Sequence, residues 1–266
     1  MDQHGLGCGF AMKRALKLAY QWWRTAVSDP RRLPRFPSEI ARFLSDLRAF
    51  RSALRARGRD DVVEVHPVLF QRGIASTFDA HYVYQSAWAI RRILARKPTE
   101  HVDISSNIPY VAALSAAVPV RFCEYRPPEI RLPGLTTEHV DIAKLPFADG
   151  SVASLSCLHV LEHVGLGRYG DPLDPEGLER ACREIARVTA PGGFVFLSVP
   201  VGRARVCFNM HRVSAPDLLP SLFGPAFHLR EFCVVTDDRR YLEDVRPADF
   251  AAQDYACGLY WLERKA

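Results

Sequence analysis

The chain has 266 residues, 48% hydrophobic and 24% charged, enough to bury a full core without disulfides or a structural metal. Its 16 glycines and 19 prolines are too few for a low-complexity protein, and no apolar run reaches the roughly 18 residues of a membrane-spanning helix. Residues 1–60 hold 13 Lys/Arg against 5 Asp/Glu, whereas 61–266 hold 22 against 25. A basic head therefore precedes a mildly acidic body, and no nucleic-acid partner is expected.

Residues 10–26 (FAMKRALKLAYQWWRTA) set apolar residues at helical spacing, with Lys13, Arg14, Lys17 and Arg24 between them. A basic helix with tryptophans can lie on an anionic membrane surface, so this stretch is a candidate peripheral membrane contact. DPRRLPRFPS (29–38) reads as a linker, after which Ser38 can cap an Arg-rich amphipathic helix over 39–57. Residues 1–75 are thus read as a basic helical extension, and 76–266 as the main domain. There the spacing gives a helix over 81–96, a strand over 101–105, a helix over 108–117 and strand-like runs at 121–125 and 137–140. An apolar strand follows at 151–158. A helix over 174–188 comes next, with Asp174 as cap and Pro191-Gly192-Gly193 as stop, then a strand over 194–200 and a helix over 215–223. Strands at 229–235 and 255–263 close the chain. Alternating strands and helices indicate an α/β fold, a doubly wound, mostly parallel sheet of the seven-stranded type; the last two strands lack a long helix between them, so that edge is expected to be antiparallel.

The seven cysteines are odd in number, widely spaced and free of any CxxC. They read as reduced residues of a cytoplasmic protein, at most peripheral to the inner face of a membrane, and not as a disulfide or zinc framework. No secretory signal pattern opens the sequence.

Ligands of open parallel sheets bind beyond the carboxyl ends of the strands. The polar residues at those positions are Asp103, Ser105, Ser106 and Asn107 after the first strand, and Glu124 and Tyr125 after the second. Asp141 and Ile142 follow the third strand, and Leu158 and His159 end the fourth, ahead of Glu162 and His163. Glu124 stands 21 residues beyond Asp103, where an acid can hold both hydroxyls of a ribose. With Asp141 placed to meet an adenine amino group and no phosphate-cradling GKS/T, the layout suits an adenosine cofactor without phosphates. His159-x-x-Glu162-His163 matches a short zinc-protease pattern, but it follows a strand and Gly165 and Gly167 soon interrupt it, so no metal site is expected.

The segments DGSVASLSCLHVLEHV and EIARVTAPGGFVFLSVP, with the order of elements, resemble the class I S-adenosylmethionine-dependent methyltransferases over about residues 80–235. SCLHVLEHVGLGRYGDPLDP and SVPVGRARVCFNMHRV are more closely similar to a bacterial family of uncharacterised methyltransferase-like proteins. The resemblance implies S-adenosylmethionine as cofactor, held by the residues named above with His159 near its methionine part, and a small-molecule or glycan-linked acceptor. Glu162, His163 and His211 are then the catalytic candidates, since a histidine near pKa 6.5 can take a proton from a hydroxyl or amine. Tyr169, Asp171, Asn209 and Arg212 are candidates for the acceptor pocket. One departure stands out: the first loop, Asp103-Ile104-Ser105-Ser106-Asn107, lacks the glycines of acid-x-Gly-x-Gly. Glycine serves there because it tolerates positive φ and close approach, a role Asn107 can take in the left-handed region. A methyltransferase-like scaffold that has lost its cofactor is the alternative.

Overall fold

A computed structural model describes residues 30–72 and 76–266. The helix expected over 10–26, and with it the membrane contact, lies outside the described residues. The described chain falls into two units that divide between Thr77 and Phe78.

In the first unit a 3-10 turn, Pro30–Arg35, runs directly into α1, Phe36–Ala56. Ser38 is not the cap. Pro37 already occupies the first turn, and the Ser38 hydroxyl donates to the Arg35 carbonyl at 2.8 Å, because a proline preset at helical φ starts the helix ahead of it. Phe70 returns along α1, its ring 6.3 Å from that of Phe36, and Arg72 pairs with Asp46 at 2.9 Å.

The second unit is built on an eight-stranded sheet of order β3-β2-β1-β4-β5-β10-β8-β9. Its strands are β1 His101–Ile104, β2 Val120–Glu124, β3 Leu135–His139, β4 Val152–Leu158, β5 Thr189–Val201, β8 Phe227–Val235, β9 Tyr241–Leu242 and β10 Ala256–Arg264. Strands β3, β2, β1, β4 and β5 pair in parallel. β10 inserts antiparallel between β5 and β8, giving the antiparallel edge the sequence suggested. The eighth strand, β9, has only two residues and had no periodic signal. A separate hairpin of β6, Arg205–Cys207, and β7, His211–Val213, was also missed: three-residue strands are too short to show a period.

Helices α2, Ala80–Arg96, and α3, Ile108–Ser115, cover one face; α4, Gly177–Val188, and α5, Leu218–Phe223, cover the other. Asp79 caps α2, its carboxylate accepting from the backbone N–H of His81 and Tyr82 at 3.0 and 3.3 Å. That start aims Trp88, Ala89 and Ile93, all fully buried, at Phe122 and Phe196 of the sheet. On the opposite face Ile185 and Leu219 meet Leu155 and Leu197. β4 and β5 are buried on both faces, which is why they read as continuous apolar runs. α4 starts three residues later than Asp174. Asp174 instead closes the turn before it, accepting from the Glu176 N–H at 3.0 Å and from Arg180 at 3.1 Å. The Pro191-Gly192-Gly193 segment lies within β5 after the helix has ended at Val188.

Candidate active site

The order of β2, β1 and β4 places the reversal of connection direction between β1 and β4, the point at which an open sheet leaves a crevice. A cavity of about 630 Å³ opens there, beyond the carboxyl ends of β1, β2, β3 and β4, within the size range of small-molecule sites.

Its floor is set by the loop after β1. Ser105 adopts φ 55°, the left-handed region, at a cost of about 1 kcal/mol or more for a residue with a Cβ. Hydrogen bonds hold it there: its N–H donates to the Cys123 carbonyl at 2.8 Å and its hydroxyl to the same oxygen at 3.3 Å. Asn107 is not the left-handed residue. It has φ −67° and caps α3, its side-chain oxygen accepting from the Tyr110 N–H. The turn is thus made one step earlier, by serine and cross-strand bonds in place of glycine.

Asp103, Ser106 and Leu158 do not reach the cavity; they lie beneath it. Asp103 is fully buried and accepts from the Ser106 N–H at 3.0 Å, the Ser106 hydroxyl at 2.7 Å and the Ser156 hydroxyl. Burial outweighs these bonds and pushes its carboxyl up to about 7. The Leu158 N–H donates to the Ser106 hydroxyl at 2.9 Å. His101, also fully buried, bridges Ser154 and Ser156 at 2.6 and 2.8 Å, and burial drives its pKa down to about 3. This network locks β1 to β4 and fixes the loop above; no periodic pattern announced it.

Ser105, Glu124, Tyr125, Asp141, Ile142 and His159 line the cavity. Glu124 accepts from the Arg126 N–H at 3.2 Å, and Asp141 from the Ala143 N–H at 2.9 Å, so both carboxylates are held by the turns that follow their strands. The cavity also includes Arg126, Asp174 and Arg180, which sequence reasoning missed because they come from loops and a helix face with no strand-end signal.

His163 and Tyr169 line the far side with Asp171. The His163 Nδ1 lies 2.6 Å from the Met210 carbonyl, which can only accept, so Nδ1 carries the proton and Nε2 is left as a base. Burial holds its pKa below the usual histidine value. The Asp171 carboxylate gathers the N–H groups of Gly165, Gly167 and Tyr169 at 3.1–3.3 Å and so shapes the loop. Gly165 has φ +76°, and a Cβ there would stand 2.0 Å from the Asp174 carbonyl oxygen.

Glu162, His211, Asn209 and Arg212 are not part of the lining. Glu162 is 1% exposed and accepts from His159 Nδ1 at 2.6 Å, so it orients His159 and does not face an acceptor. Burial opposes a charge on His159, but the neighbouring Cys257 sulphur and Glu162 carboxylate outweigh it and raise its pKa. The His211 ring packs tilted against Tyr255, ring centroids 4.9 Å apart and 49° between planes. Asn209 is exposed. Arg212 turns to the Val164 carbonyl, because β7 packs against the back of that loop.

Against known proteins, a family model described as "Caenorhabditis protein of unknown function, DUF268" matches residues 146–247. That model spans less than half of the chain and its description is not of a bacterial family, so the narrower bacterial resemblance is not the one the comparison finds. No curated protein matches. Among solved structures, the N-methyltransferase NodS from Bradyrhizobium japonicum WM9 in complex with S-adenosyl-L-homocysteine is similar at TM-score 0.51 and 13% identity, over 69% of this chain and 87% of that one. A second NodS structure from the same organism matches at 0.51 and 14%, over 70% and 97%. The second unit therefore has the Rossmann-like fold of the class I S-adenosylmethionine-dependent methyltransferases.

Proposed function

We propose that the protein is an S-adenosylmethionine-dependent methyltransferase acting on a small polar acceptor, free or glycan-linked. The observation that carries this reading is the cavity at the switch point, with Glu124 at the end of β2 and the Ser105 turn at the end of β1 both in its wall. The residues present fit an adenosine group. Glu124 offers a carboxylate for two ribose hydroxyls, Asp141 and the Ala143 turn border the position for the base, and Ile142 gives an apolar flank. The cross-strand bonds of Ser105 keep the loop in the left-handed turn that glycine usually supplies. S-adenosylmethionine, when bound, supplies the methyl group and its sulfonium leaving group.

The chain's own part is to position the acceptor and to take its proton. Tyr169, Arg126, Asp174 and Arg180 give the far wall a polar character that suits an acceptor rich in hydroxyls. His163 Nε2 takes the proton from the acceptor hydroxyl or amine as the bond to carbon forms. The Met210 carbonyl fixes the tautomer that leaves Nε2 unprotonated, and Arg168, donating to the same carbonyl at 3.0 Å, pins that carbonyl in place.

Thermal unfolding with S-adenosylmethionine and with S-adenosylhomocysteine tests the reading. Ligand at 100 times its dissociation constant adds about 2.7 kcal/mol, and Glu124→Ala removes the shift. An unshifted wild type at millimolar ligand refutes cofactor binding and leaves the scaffold reading in its place.

A further inference from the structure

We propose that His81, His159 and Cys257 form a binding site for one zinc ion, with Glu162 orienting His159. The three come from distant parts of the chain: the first turn of α2, the turn after β4 and the second residue of β10. Each offers one donor atom, and the three donors lie within 4.8 Å of one another. Zinc–nitrogen bonds of about 2.0–2.1 Å and a zinc–sulphur bond of about 2.3 Å, set tetrahedrally, separate neighbouring donors by about 3.3–3.6 Å. An inward movement of about 1 Å therefore closes the set. The His81 and His159 rings already stack, 5.4 Å between centroids and 17° between planes, and Tyr255 also stacks on His81 at 5.4 Å.

His159 provides an independent sign. It is 9% exposed, its Nδ1 is held by Glu162, and its Nε2 is buried with no hydrogen-bond partner. Histidines that ligate zinc commonly give their second ring nitrogen to a carboxylate, which fixes ring and tautomer. The second oxygen of Glu162 is buried and unpartnered as well, so the pocket behind His159 holds a carboxylate that can balance a bound cation. A divalent cation on His159 Nε2 takes the place of a proton there and displaces the thiol proton of Cys257 to solvent. Two imidazoles and a thiolate select zinc over magnesium or calcium, which prefer oxygen. Three protein ligands leave a fourth position for water or a bound group, the pattern of zinc sites that do chemistry. Of the three ligands only His159 belongs to the HxxEH run, with Glu162 of that run behind it; the Nδ1 of His163, the other histidine of the run, is committed to Met210.

Full-length protein, stripped with EDTA and dialysed, is titrated with zinc and separately with cobalt. One zinc per chain is expected, and cobalt is expected to show the near-ultraviolet thiolate-to-metal band that reports Cys257. His81→Ala and Cys257→Ser each lose the bound metal. His81 is in the first turn of a helix where alanine is well tolerated, so His81→Ala is expected to unfold in EDTA close to the wild type, and it decides the matter should Cys257→Ser fail to fold. Glu162→Gln keeps the stoichiometry and weakens zinc affinity 10- to 100-fold, as expected of a positioning residue. Wild type without bound zinc, binding that survives His81→Ala, or a cobalt spectrum lacking the thiolate band each overturns the proposal. The titrations contain no S-adenosylmethionine, so their outcome is independent of the cofactor reading.

Discussion

Replacing Asp103 by asparagine should add to the stability of the protein a pH dependence that Asp103 offsets in the wild type. Two buried groups share one hydrogen-bond network, and their shifts oppose each other. His101 falls to about 3 in the fold from about 6.5 unfolded. Between these values only the unfolded chain binds its proton, so this group's stability contribution is full above pH 6.5 and is lost as pH falls. Asp103 rises to about 7 in the fold from about 3.9 unfolded. Its contribution is full below the unfolded value and is lost as pH rises through 7. Each slope is about 1.4 kcal/mol per pH unit and the signs are opposite, so between about pH 4 and 6.5 they cancel. Asparagine matches the shape of the protonated acid, and the Ser106 and Ser156 hydroxyls can turn to accept from its amide. Removing Asp103 leaves the His101 slope unopposed. Urea unfolding at pH 4.5 and 6.5 reads the difference: relative to wild type, the variant should gain about 2 to 3 kcal/mol between the two. Parallel profiles for the two proteins would refute the argument, since they would mean that Asp103 is ionised in the fold.

Three further outcomes follow from the structure. Gly165→Ala forces a Cβ into the Asp174 carbonyl and should cost about 1–3 kcal/mol, read as a thermal midpoint lowered by several degrees. Trp88→Ala empties a fully buried site packed edge-on against Phe196 and should cost about 3–5 kcal/mol by chemical denaturation; a loss under 1 kcal/mol would mean that α2 is not seated on the sheet. On the proposed function, His163→Gln should slow methyl transfer about 10²- to 10⁴-fold without changing S-adenosylmethionine affinity measured by calorimetry. Because burial lowers the His163 pKa, the acid limb of the wild-type rate should lie below pH 6.5, with the base unprotonated above it; a limb above that pH points to another group.

The wall of the cavity was more legible than its interior support. Glu124, Asp141 and His159 could be placed because each stands at or just past the end of a strand-like run, and strand ends define the crevice of a parallel sheet. Asp103 looked equivalent by the same rule. It is instead turned into the sheet, where Ser156, a neighbour only through β1–β4 pairing, donates to it. Glu162 and Arg212 were placed in the site for their chemistry, yet one is sealed beneath His159 and the other braces a loop from behind. Side-chain direction after a strand end depends on the φ of one or two turn residues, here Ser105 and His159, both left-handed, and residue type alone does not encode that.

Pattern and turn chemistry in the sequence by themselves determined the alternation of strands and helices, the antiparallel far edge and the order of polar residues along the strand ends. These are local properties, set by periodicity and by the residues that start and stop each element. Only the tertiary structure decided which of those polar residues share a cavity and which are buried under it, and only it brought His81, His159 and Cys257 together. Their separation along the chain is 78 residues in one step and 98 in the next. Such meetings follow from strand order and helix docking, which arise from burial of apolar faces across the whole domain and leave no mark within any short window of sequence.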